Sequence, residues 1–360
     1  MPSGTDAEVQ RAIAPSALRI IAKLLPHTFW AELDPSNIAI HRVGGAMTNI
    51  VFIASGGGAA AKDPDSDEAA AASRRVLVRI YGSGTECFFD RRTEVKQFMM
   101  VAACGLGPHL LGEFANGRLE EVLDAATLSA KDLRVHSVSV LIAQKMRTFH
   151  RIIDHAPDCC DGTPILWSRI ERWRQQVSHM LAGDTDAGER LRRFCDGHRV
   201  DLHAVSAAVE RVKRLAPSSP VVFAHNDLQF ANIMMEGGPS GQGALHFVDF
   251  EYSGTNFRAY DIANHFCEWC YDYYDEREPH RFNHGWFPSR QEQLSFLAAY
   301  CDCPCSESEL EALRAEVLAY VPASHALWGY WGLLQTAQAE GIDFDFAGYT
   351  AQRLEQLLKQ

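Results

Sequence analysis

The sequence predicts an α+β protein with a small β-rich N-terminal lobe, residues 1–122, and a larger, mainly helical C-terminal lobe, residues 123–360. Two observations support this division. At 360 residues the chain is longer than the ~250–300 residues at which a single hydrophobic core tends to split. Short strand-like runs dominate the start of the chain, whereas longer helical patterns dominate the rest.

The N-terminal lobe is expected to be a mostly antiparallel sheet with helices beside it. Residues 5–32 follow a helical pattern that Pro26 ends. The next elements are predicted as strands at 38–43, 49–54 and 76–81, a helix at 90–104, and a hairpin at 110–122 turning at Asn116-Gly117. Residues 55–73 are rich in Gly, Ala, Asp and Ser, and are expected to form an insertion that buries little surface.

The C-terminal lobe is expected to be helical around a small β-rich island. Helices are predicted at 138–153, 165–181, 191–215, 291–300, 307–320 and 323–339. Strands are predicted at 221–224 and 244–250, on either side of a Gly-rich turn region.

The composition excludes several classes of function. With 34 basic and 46 acidic residues the formal net charge is −12, which disfavours a broad surface for nucleic acid or anionic lipid. No apolar run approaches the ~18–20 residues of a membrane span, so membrane insertion is not expected. A small cationic molecule is a partner that this charge would suit.

Ten cysteines are present without a recognisable secretory segment, which favours reduced thiols in a cytoplasmic protein. Cys267 and Cys270, with the cluster Cys301, Cys303 and Cys305, are an alternative zinc site because thiolates suit that ion. Cys267 and Cys270 fall within an apolar helical pattern, however, where a thiol usually acts as a small hydrophobic group.

The sharpest chemical signal is His225-Asn226-Asp227, with Asn232 five residues after the Asp and Asp249-Phe250 at the end of the next strand. Phosphoryl transfer needs a carboxylate that orients the attacking hydroxyl and accepts its proton, together with oxygen ligands for magnesium. Asp227 is predicted as the base, and Asn232 and Asp249 as the magnesium ligands. The order and spacing match the catalytic loop and metal-binding triplet of protein kinases, with Glu251 in place of the triplet's glycine.

The block from Asp249-Phe-Glu-Tyr252 to Asn264-His-Phe-Cys-Glu-Trp269, with the loop His225–Asn232, resembles the signatures of the choline/ethanolamine kinase family. Looser similarity extends through Gly44–Asn49, 76–82, Gly107-Pro108, 117–120 and Phe149-His150. The resemblance implies a bilobal, protein-kinase-like fold that uses ATP and Mg²⁺ to phosphorylate an amino alcohol. For choline, the product is the phosphocholine of the CDP-choline route to phosphatidylcholine.

The resemblance also implies nucleotide-binding residues in the first lobe. Arg79 stands where protein kinases place a phosphate-gripping Lys, with Glu94 as its expected ion-pair partner; a solvated surface pair is the alternative. The segment 117–122, which includes Glu120, is expected to follow the adenine. Gly44, Gly45, Thr48 and Asn49 resemble a phosphate-covering loop, although a simple Gly-Gly hairpin would also explain them.

Aromatic residues suggest how a cationic acceptor is held. Trp328 and Trp331 lie three residues apart on a predicted helix, with Gly329 and Gly332 allowing close approach. Tyr273 is predicted on a second helical segment as another wall, with Glu268 supplying negative charge. In choline kinases the matching Tyr and two Trp surround choline, while plain core packing is the alternative for these rings.

Three further functional hypotheses remain open at this stage. The enzyme prefers ethanolamine or uses both amino alcohols; the fold serves as a catalytically dead sensor or scaffold; or the chain is a kinase for antibiotics such as aminoglycosides. A homodimer is also an expectation, because relatives are often dimers.

Overall fold

The structure is a computed structural model that describes residues 6–43, 49–56, 74–82, 88, 90–155, 162–238, 243–339 and 342–359. These residues belong to two compact units. The first comprises residues 1–87 and 98–125, and the second comprises residues 88–97 and 126–360. The predicted loop residues Gly44, Gly45 and Thr48 and most of the insertion at 55–73 lie outside the described residues.

The first unit contains a five-stranded antiparallel sheet. Its strands are β1 (Ile38–Val43), β2 (Asn49–Gly56), β3 (Arg75–Tyr81), β4 (Leu110–Phe114) and β5 (Gly117–Glu121), in the order β1-β2-β3-β5-β4. Helix α1 (Asp6–Leu24) packs its apolar face on the sheet, where Leu18 and Ile21 join Phe52, Val78 and Leu119 in the core. The predicted strands and the Asn116-Gly117 hairpin are confirmed. Helix α1 ends at Leu24, just before the predicted stop at Pro26, rather than running to residue 32.

Helix α2 (Arg91–Ala103) follows, with residues 91–97 belonging to the second unit. The other helices are α3 (His136–His150), α4 (Ile152–His155), α5 (Leu166–Ala182), α6 (Asp186–His198), α7 (Leu202–Leu215), α8 (Arg258–Glu268), α9 (Arg290–Cys301), α10 (Glu307–Leu318), α11 (Val321–Gln338) and α12 (Phe346–Leu358). Serine capping boxes begin α9 at Ser289 and α10 at Ser306, which satisfies backbone N–H groups that the helices leave without internal partners.

Two small antiparallel sheets complete the second unit. One pairs β7 (Val221–Ala224) with β10 (Gly254–Phe257), and the other has the order β6 (Ala126–Thr127), β8 (Ile233–Met235), β9 (Leu245–Phe247). These strands place the segments 225–232 and 248–253 at their ends. Among the described residues no helix combines the length and apolar character needed to cross a bilayer.

Several of the predicted elements differ from the structure. The helix predicted at 191–215 is two helices, because Arg199 adopts a left-handed conformation with φ of 55° and the Asp201 carboxylate caps the N-terminus of α7. The strand predicted at 244–250 is limited to Leu245–Phe247. Helix α8 ends at Glu268, so Tyr273 lies in the following loop rather than on a helix.

Candidate active site

The loop of residues 225–232, called the catalytic loop below, connects β7 to β8 and carries Asp227. Residues 230–232 form a single 3₁₀ turn whose N-terminus is capped by the Gln229 side chain. Asn226 has a φ of 66°, a left-handed conformation that is uncommon for a residue other than glycine. The loop therefore reverses direction over a few residues and presents Asp227 at the turn.

Asp261, in the first turn of α8, fixes the start of the catalytic loop. Its Oδ2 accepts the His225 N–H at 2.9 Å and its Oδ1 accepts the Asn226 N–H at 2.7 Å. His150 Nε2 also donates to Oδ2 at 2.9 Å, while His150 Nδ1 lies 2.7 Å from the Tyr300 hydroxyl. Burial raises the pKa of Asp261, but the hydrogen bond and the charges of His150 and His225 outweigh it and lower the pKa overall.

Side-chain amides hold the next part of the loop. Asn226 Nδ2 donates to the Tyr252 carbonyl at 2.9 Å, and Asn226 Oδ1 accepts from Asn256 Nδ2 at 2.7 Å. Asn264 Nδ2 donates to the Asn226 carbonyl at 3.3 Å. These residues are buried, so each directional bond is made away from water and restricts the backbone that carries Asp227.

His265 supports the far side of the loop as a neutral imidazole. Its Nδ1 lies 2.8 Å from the Leu228 carbonyl, and its Nε2 accepts the Trp269 indole N–H at 3.2 Å. A carbonyl can only accept, so Nδ1 carries the proton. Burial lowers the pKa of His265 to about 4.

The structure brings the predicted base and metal ligands together. Asn232 Nδ2 donates to the Asp227 carbonyl at 2.8 Å and to Asp227 Oδ2 at 3.0 Å. The Val248 N–H donates to the Asn232 carbonyl at 3.0 Å, which places Asp249 one residue from that contact. Asp249 has a φ of 66°, so a second non-glycine residue with left-handed backbone lies in the same site.

Asn232 and Asp249 suit a magnesium ion. Since both bonds made by the Asn232 side chain use its Nδ2, the amide oxygen is directed away from Asp227. Amide and carboxylate oxygens are the hard ligands that Mg²⁺ takes, usually together with phosphate oxygens. Among the described residues no three or more His, Cys, Asp or Glu side chains group as a metal site.

Asp227 is surrounded by other carboxylates. Burial raises its pKa well above the ordinary value, and the negative charges of Glu268, Asp249 and Glu251 raise it further, while the hydrogen bond from Asn232 opposes the shift. Glu268 has the strongest of the three charge effects. The site is therefore strongly acidic around the base, which favours a cationic ligand.

Trp328 and Trp331 do project from one face of α11, with ring centroids 5.6 Å apart. Asn264 Oδ1 accepts the Trp328 indole N–H at 2.7 Å, so one side chain binds both this tryptophan and the catalytic loop. The Tyr252 ring lies 5.2 Å from the Trp328 ring, and its hydroxyl accepts the Trp331 N–H at 2.9 Å. We call Tyr252, Trp328 and Trp331 the aromatic wall.

Tyr273 lies in a neighbouring aromatic group rather than directly against the tryptophans. Its ring stacks on Tyr271 at 5.4 Å with an interplanar angle of 7°, and it lies 6.0 Å from Phe230 and 6.3 Å from Phe344. Phe344 also contacts Tyr349, whose ring is 5.8 Å from Trp331. The Tyr273 hydroxyl donates to Glu268 Oε2 at 2.7 Å. This hydrogen bond joins two residues that were both predicted to bind the amino alcohol.

The glycines of α11 have a different role from the predicted one. A Cβ at Gly329 would lie 2.6 Å from the Leu354 side chain, and a Cβ at Gly332 would lie 2.2 Å from Thr350 Oγ1. Both glycines thus allow α12 to pack closely against α11. That packing brings Tyr349 and Arg353 of α12 to the site.

The nucleotide-binding residues predicted in the first unit are buried, which contradicts a solvated surface pair. Arg79 is 6% exposed and donates from Nε to Glu120 Oε1 at 2.6 Å, and Arg118 donates to the same oxygen at 2.7 Å. Burial raises the pKa of Glu120, but the two arginines outweigh it and lower the pKa. Asn49 begins β2 and is buried.

Glu94 belongs to the second unit, where it is buried and paired with Arg91. Its pairing with Arg79 stays a prediction, as does the contact of Glu120 with adenine. Cys267 and Cys270 are buried free thiols, and burial raises the pKa of Cys267 to about 12.

Several site residues were not predicted from the sequence. Tyr252 and Asn264 lie within the recognised block but had no assigned role, and Asn256, Tyr349 and Arg353 were missed. No local periodicity marks them, because their partners are distant in sequence. Asn256 lies in β10, and no local sequence signal marks it.

Proteins similar to this chain are known over most of its length. The family model described as choline/ethanolamine kinase matches residues 40–358. A protein of Arabidopsis thaliana named "Probable choline kinase 3" is 34% identical over 348 residues, covering 95% of this chain and 92% of the relative. The human protein named choline/ethanolamine kinase is 30% identical over 346 residues, covering 92% of this chain and 82% of the relative.

A crystal structure of choline kinase from Cryptosporidium parvum Iowa II superposes with a TM-score of 0.72 at 26% identity, covering 96% of this chain and 94% of that chain. The predicted α+β, protein-kinase-like fold is confirmed, with a small antiparallel-sheet unit and a mostly helical remainder.

Proposed function

The chain belongs to the choline/ethanolamine kinase family, and we propose that it transfers the γ-phosphoryl group of ATP to the hydroxyl of choline. The products are phosphocholine and ADP. In this reaction the choline oxygen forms a bond to the γ-phosphorus while the bond between that phosphorus and the β,γ-bridging oxygen breaks.

Asp227 acts as the base that orients the hydroxyl and takes its proton. The bond from Asn232 Nδ2 to Asp227 Oδ2 fixes the carboxylate, and the Asp261 and Asn226 contacts fix its backbone. Holding the base and the hydroxyl in position removes much of the orientational barrier to transfer. Its raised pKa falls when a cationic acceptor enters among the carboxylates, so substrate binding favours the ionised, base-competent form.

Asn232 and Asp249 would hold Mg²⁺, which would neutralise negative charge on the nucleotide phosphates. The predicted nucleotide-binding residues stay proposals: Arg79, Asn49 and Glu120 in the first unit, Glu94 in the second, and Gly44, Gly45 and Thr48 outside the described residues. A guanidinium suits phosphate because it offers paired donors and keeps its charge.

Choline binding is proposed at the aromatic wall and Tyr273. A trimethylammonium group donates no classical hydrogen bond, so aromatic faces are its natural partners, each worth about 0.5–2 kcal/mol. The buried carboxylate of Glu251 adds negative potential, while that of Glu268 is paired with Arg353. The acceptor hydroxyl then points toward Asp227.

The observation that carries this proposal is the double role of Asn264. Its amide nitrogen binds the backbone of the catalytic loop and its oxygen binds the indole of Trp328. A surface suited to a quaternary cation is thereby held at a fixed position relative to the base.

The test is ADP formation from ATP with choline, with ethanolamine, and with their mono- and dimethylated intermediates, using Asp227→Ala as the inactive control. We expect kcat/KM to rise with each added methyl group, and phosphocholine to appear by mass spectrometry. A preference for ethanolamine would favour the alternative kinase. ATP binding without product from any amino alcohol would instead favour a catalytically inactive sensor.

A homodimer and a cytoplasmic location are also proposals. Sedimentation equilibrium of the purified chain and cell fractionation would test them.

A further inference from the structure

Arg353 of α12 is a completely buried cation beside a site proposed to bind a cation. Its side chain is 0% exposed, and its Nη2 forms an ion pair with Glu268 Oε1. The positive charge of Arg353 would repel a cationic amino alcohol, so its presence here calls for a second role. We propose that Arg353 is a positioning residue that makes the site prefer a quaternary over a primary ammonium, an inference that rests on the proposed function.

Glu268 requires a counter-charge where it lies. It is the last residue of α8 and is 1% exposed, so its carboxylate faces both desolvation and the negative end of the helix dipole. A buried carboxylate that loses its partner is strongly destabilised. Arg353 supplies that partner from a position 85 residues away in sequence.

The guanidinium is also held by aromatic rings. Its Cζ lies 4.3 Å from the Tyr271 ring centroid and 5.2 Å from the Tyr349 ring centroid, and Nε donates to the Tyr349 hydroxyl at 3.0 Å. Tyr271 in turn stacks on Tyr273. Arg353 thus orients the Glu268 carboxylate and supports the ring group that includes Tyr273.

These contacts occupy both oxygens of Glu268. Arg353 donates to Oε1, and the Tyr273 hydroxyl donates to Oε2 at 2.7 Å. A primary ammonium gains most from a charged hydrogen-bond acceptor, which it can engage with N–H donors. A trimethylammonium cannot use that acceptor and is held by ring faces. Because Arg353 neutralises Glu268 and each of its oxygens already accepts a hydrogen bond, the advantage of the primary ammonium is reduced and that of the quaternary one is left.

The test compares kcat/KM for choline and for ethanolamine, and KM for ATP, in Arg353→Gln, Arg353→Lys and the double variant Arg353→Gln/Glu268→Gln. For Arg353→Gln we expect the choline-to-ethanolamine ratio of kcat/KM to fall about tenfold. KM for ATP should stay within about twofold. Arg353→Lys keeps the charge but not the planar fork, so its ratio should lie between those of the wild type and Arg353→Gln.

The double variant separates charge neutralisation from general damage. It has no unpaired buried carboxylate, and it also lacks the charged acceptor that a primary ammonium would use, so its ratio should return to within about threefold of the wild-type value. It also provides the measurement if Arg353→Gln does not fold. Arg258→Gln is the matched control, because it removes a guanidinium that pairs with Glu316 elsewhere in the unit and should leave the ratio unchanged.

Equal losses for choline and ethanolamine in Arg353→Gln would overturn the proposal and leave Arg353 a structural residue. A double variant with the ratio of Arg353→Gln would also overturn it. If the wild-type chain phosphorylates neither amino alcohol, the proposed function is wrong. The wild-type assay therefore distinguishes failure of the proposed function from failure of the proposal about Arg353.

Discussion

The catalytic loop is held by directional hydrogen bonds from buried polar side chains, whereas the aromatic wall and Tyr273 are held mainly by packed rings. Asp261, Asn256 and Asn264 each bind the loop backbone or Asn226 at defined angles. The tryptophans and tyrosines instead meet at ring distances of 5.2–5.8 Å with various tilts. The energy of a hydrogen bond falls steeply when its distance or angle changes. The energy of a ring contact depends on contact area and falls gradually as the rings move apart.

This contrast predicts two kinds of effect. Changes in the catalytic loop should lower kcat by large factors, because the attacking hydroxyl is no longer aligned. Changes in the rings should raise KM for the acceptor by smaller factors and leave ATP use nearly intact. The predictions below test that separation.

The largest effect is expected at the base. Asp227→Asn keeps the shape and the bond to Asn232 but cannot accept a proton, so kcat should fall by about 10³–10⁴-fold. Fixed-time assays of phosphocholine formation would measure the fall in kcat. Asp184→Asn is the control, because Asp184 lies in an exposed loop. A loss of less than tenfold would show that Asp227 is not the base.

A smaller but still large effect is expected at the anchor of the loop. Asp261→Asn weakens two backbone bonds and the bond from His150, so kcat should fall by about 10²-fold and the free energy of unfolding by about 2–4 kcal/mol. Steady-state kinetics and urea titration would measure both. Asp302→Asn is the control, since Asp302 is exposed and Asn tolerates its left-handed backbone. Unchanged kcat would mean that the loop does not depend on this carboxylate.

The support at His265 predicts a pH dependence of stability. Its pKa of about 4 in the folded state is below the ordinary 6.5, so the unfolded chain binds the proton more readily. This group's contribution to stability is therefore complete above pH ~6.5 and falls by roughly 3 kcal/mol as the pH drops to about 4. His265→Asn keeps a donor toward Leu228. It should flatten the plot of unfolding free energy against pH between about pH 4 and 6.5, with each free energy measured by urea titration. An identical slope in both proteins would contradict it.

The smallest effect is expected in the ring group. Tyr273→Ala should raise KM for choline about tenfold, with KM for ATP changed less than twofold, because one ring face and the bond to Glu268 are lost. Tyr274→Ala is the matched control, since Tyr274 is adjacent and 53% exposed. Equal increases in both KM values would place Tyr273 outside the acceptor site.

Local signals predicted most of the fold. Apolar periodicity identified the strands of the first unit and the major helices of the second. The break between α6 and α7 was missed because the helical period continues across it, although Asp201 before an apolar run is an N-cap signal. Tyr273 was placed on a helix because the pattern of α8 continues beyond Glu268, where the helix ends.

Spacing also predicted the group of Asp227, Asn232 and Asp249, because these residues lie in two short segments of the sequence. The supporting residues could not be found this way. Arg353 and Glu268 meet across 85 residues, and Trp331 and Tyr252 across 79. Such pairs depend on how α8, α11 and α12 pack, which no single segment of sequence specifies.

The left-handed backbone at Asn226 and Asp249 has a consequence for attempts to make the protein more heat-resistant. Glycine adopts this conformation without steric penalty, so selection for thermal tolerance alone would favour glycine at Asp249, whereas glycine at Asn226 would also lose two buried side-chain hydrogen bonds. Glycine at Asn226 would remove the amide that binds the Tyr252 carbonyl, and glycine at Asp249 would remove a magnesium ligand of the proposed reaction. A robust variant obtained in this way would be a poorer catalyst, so screens on this scaffold need turnover as a second criterion.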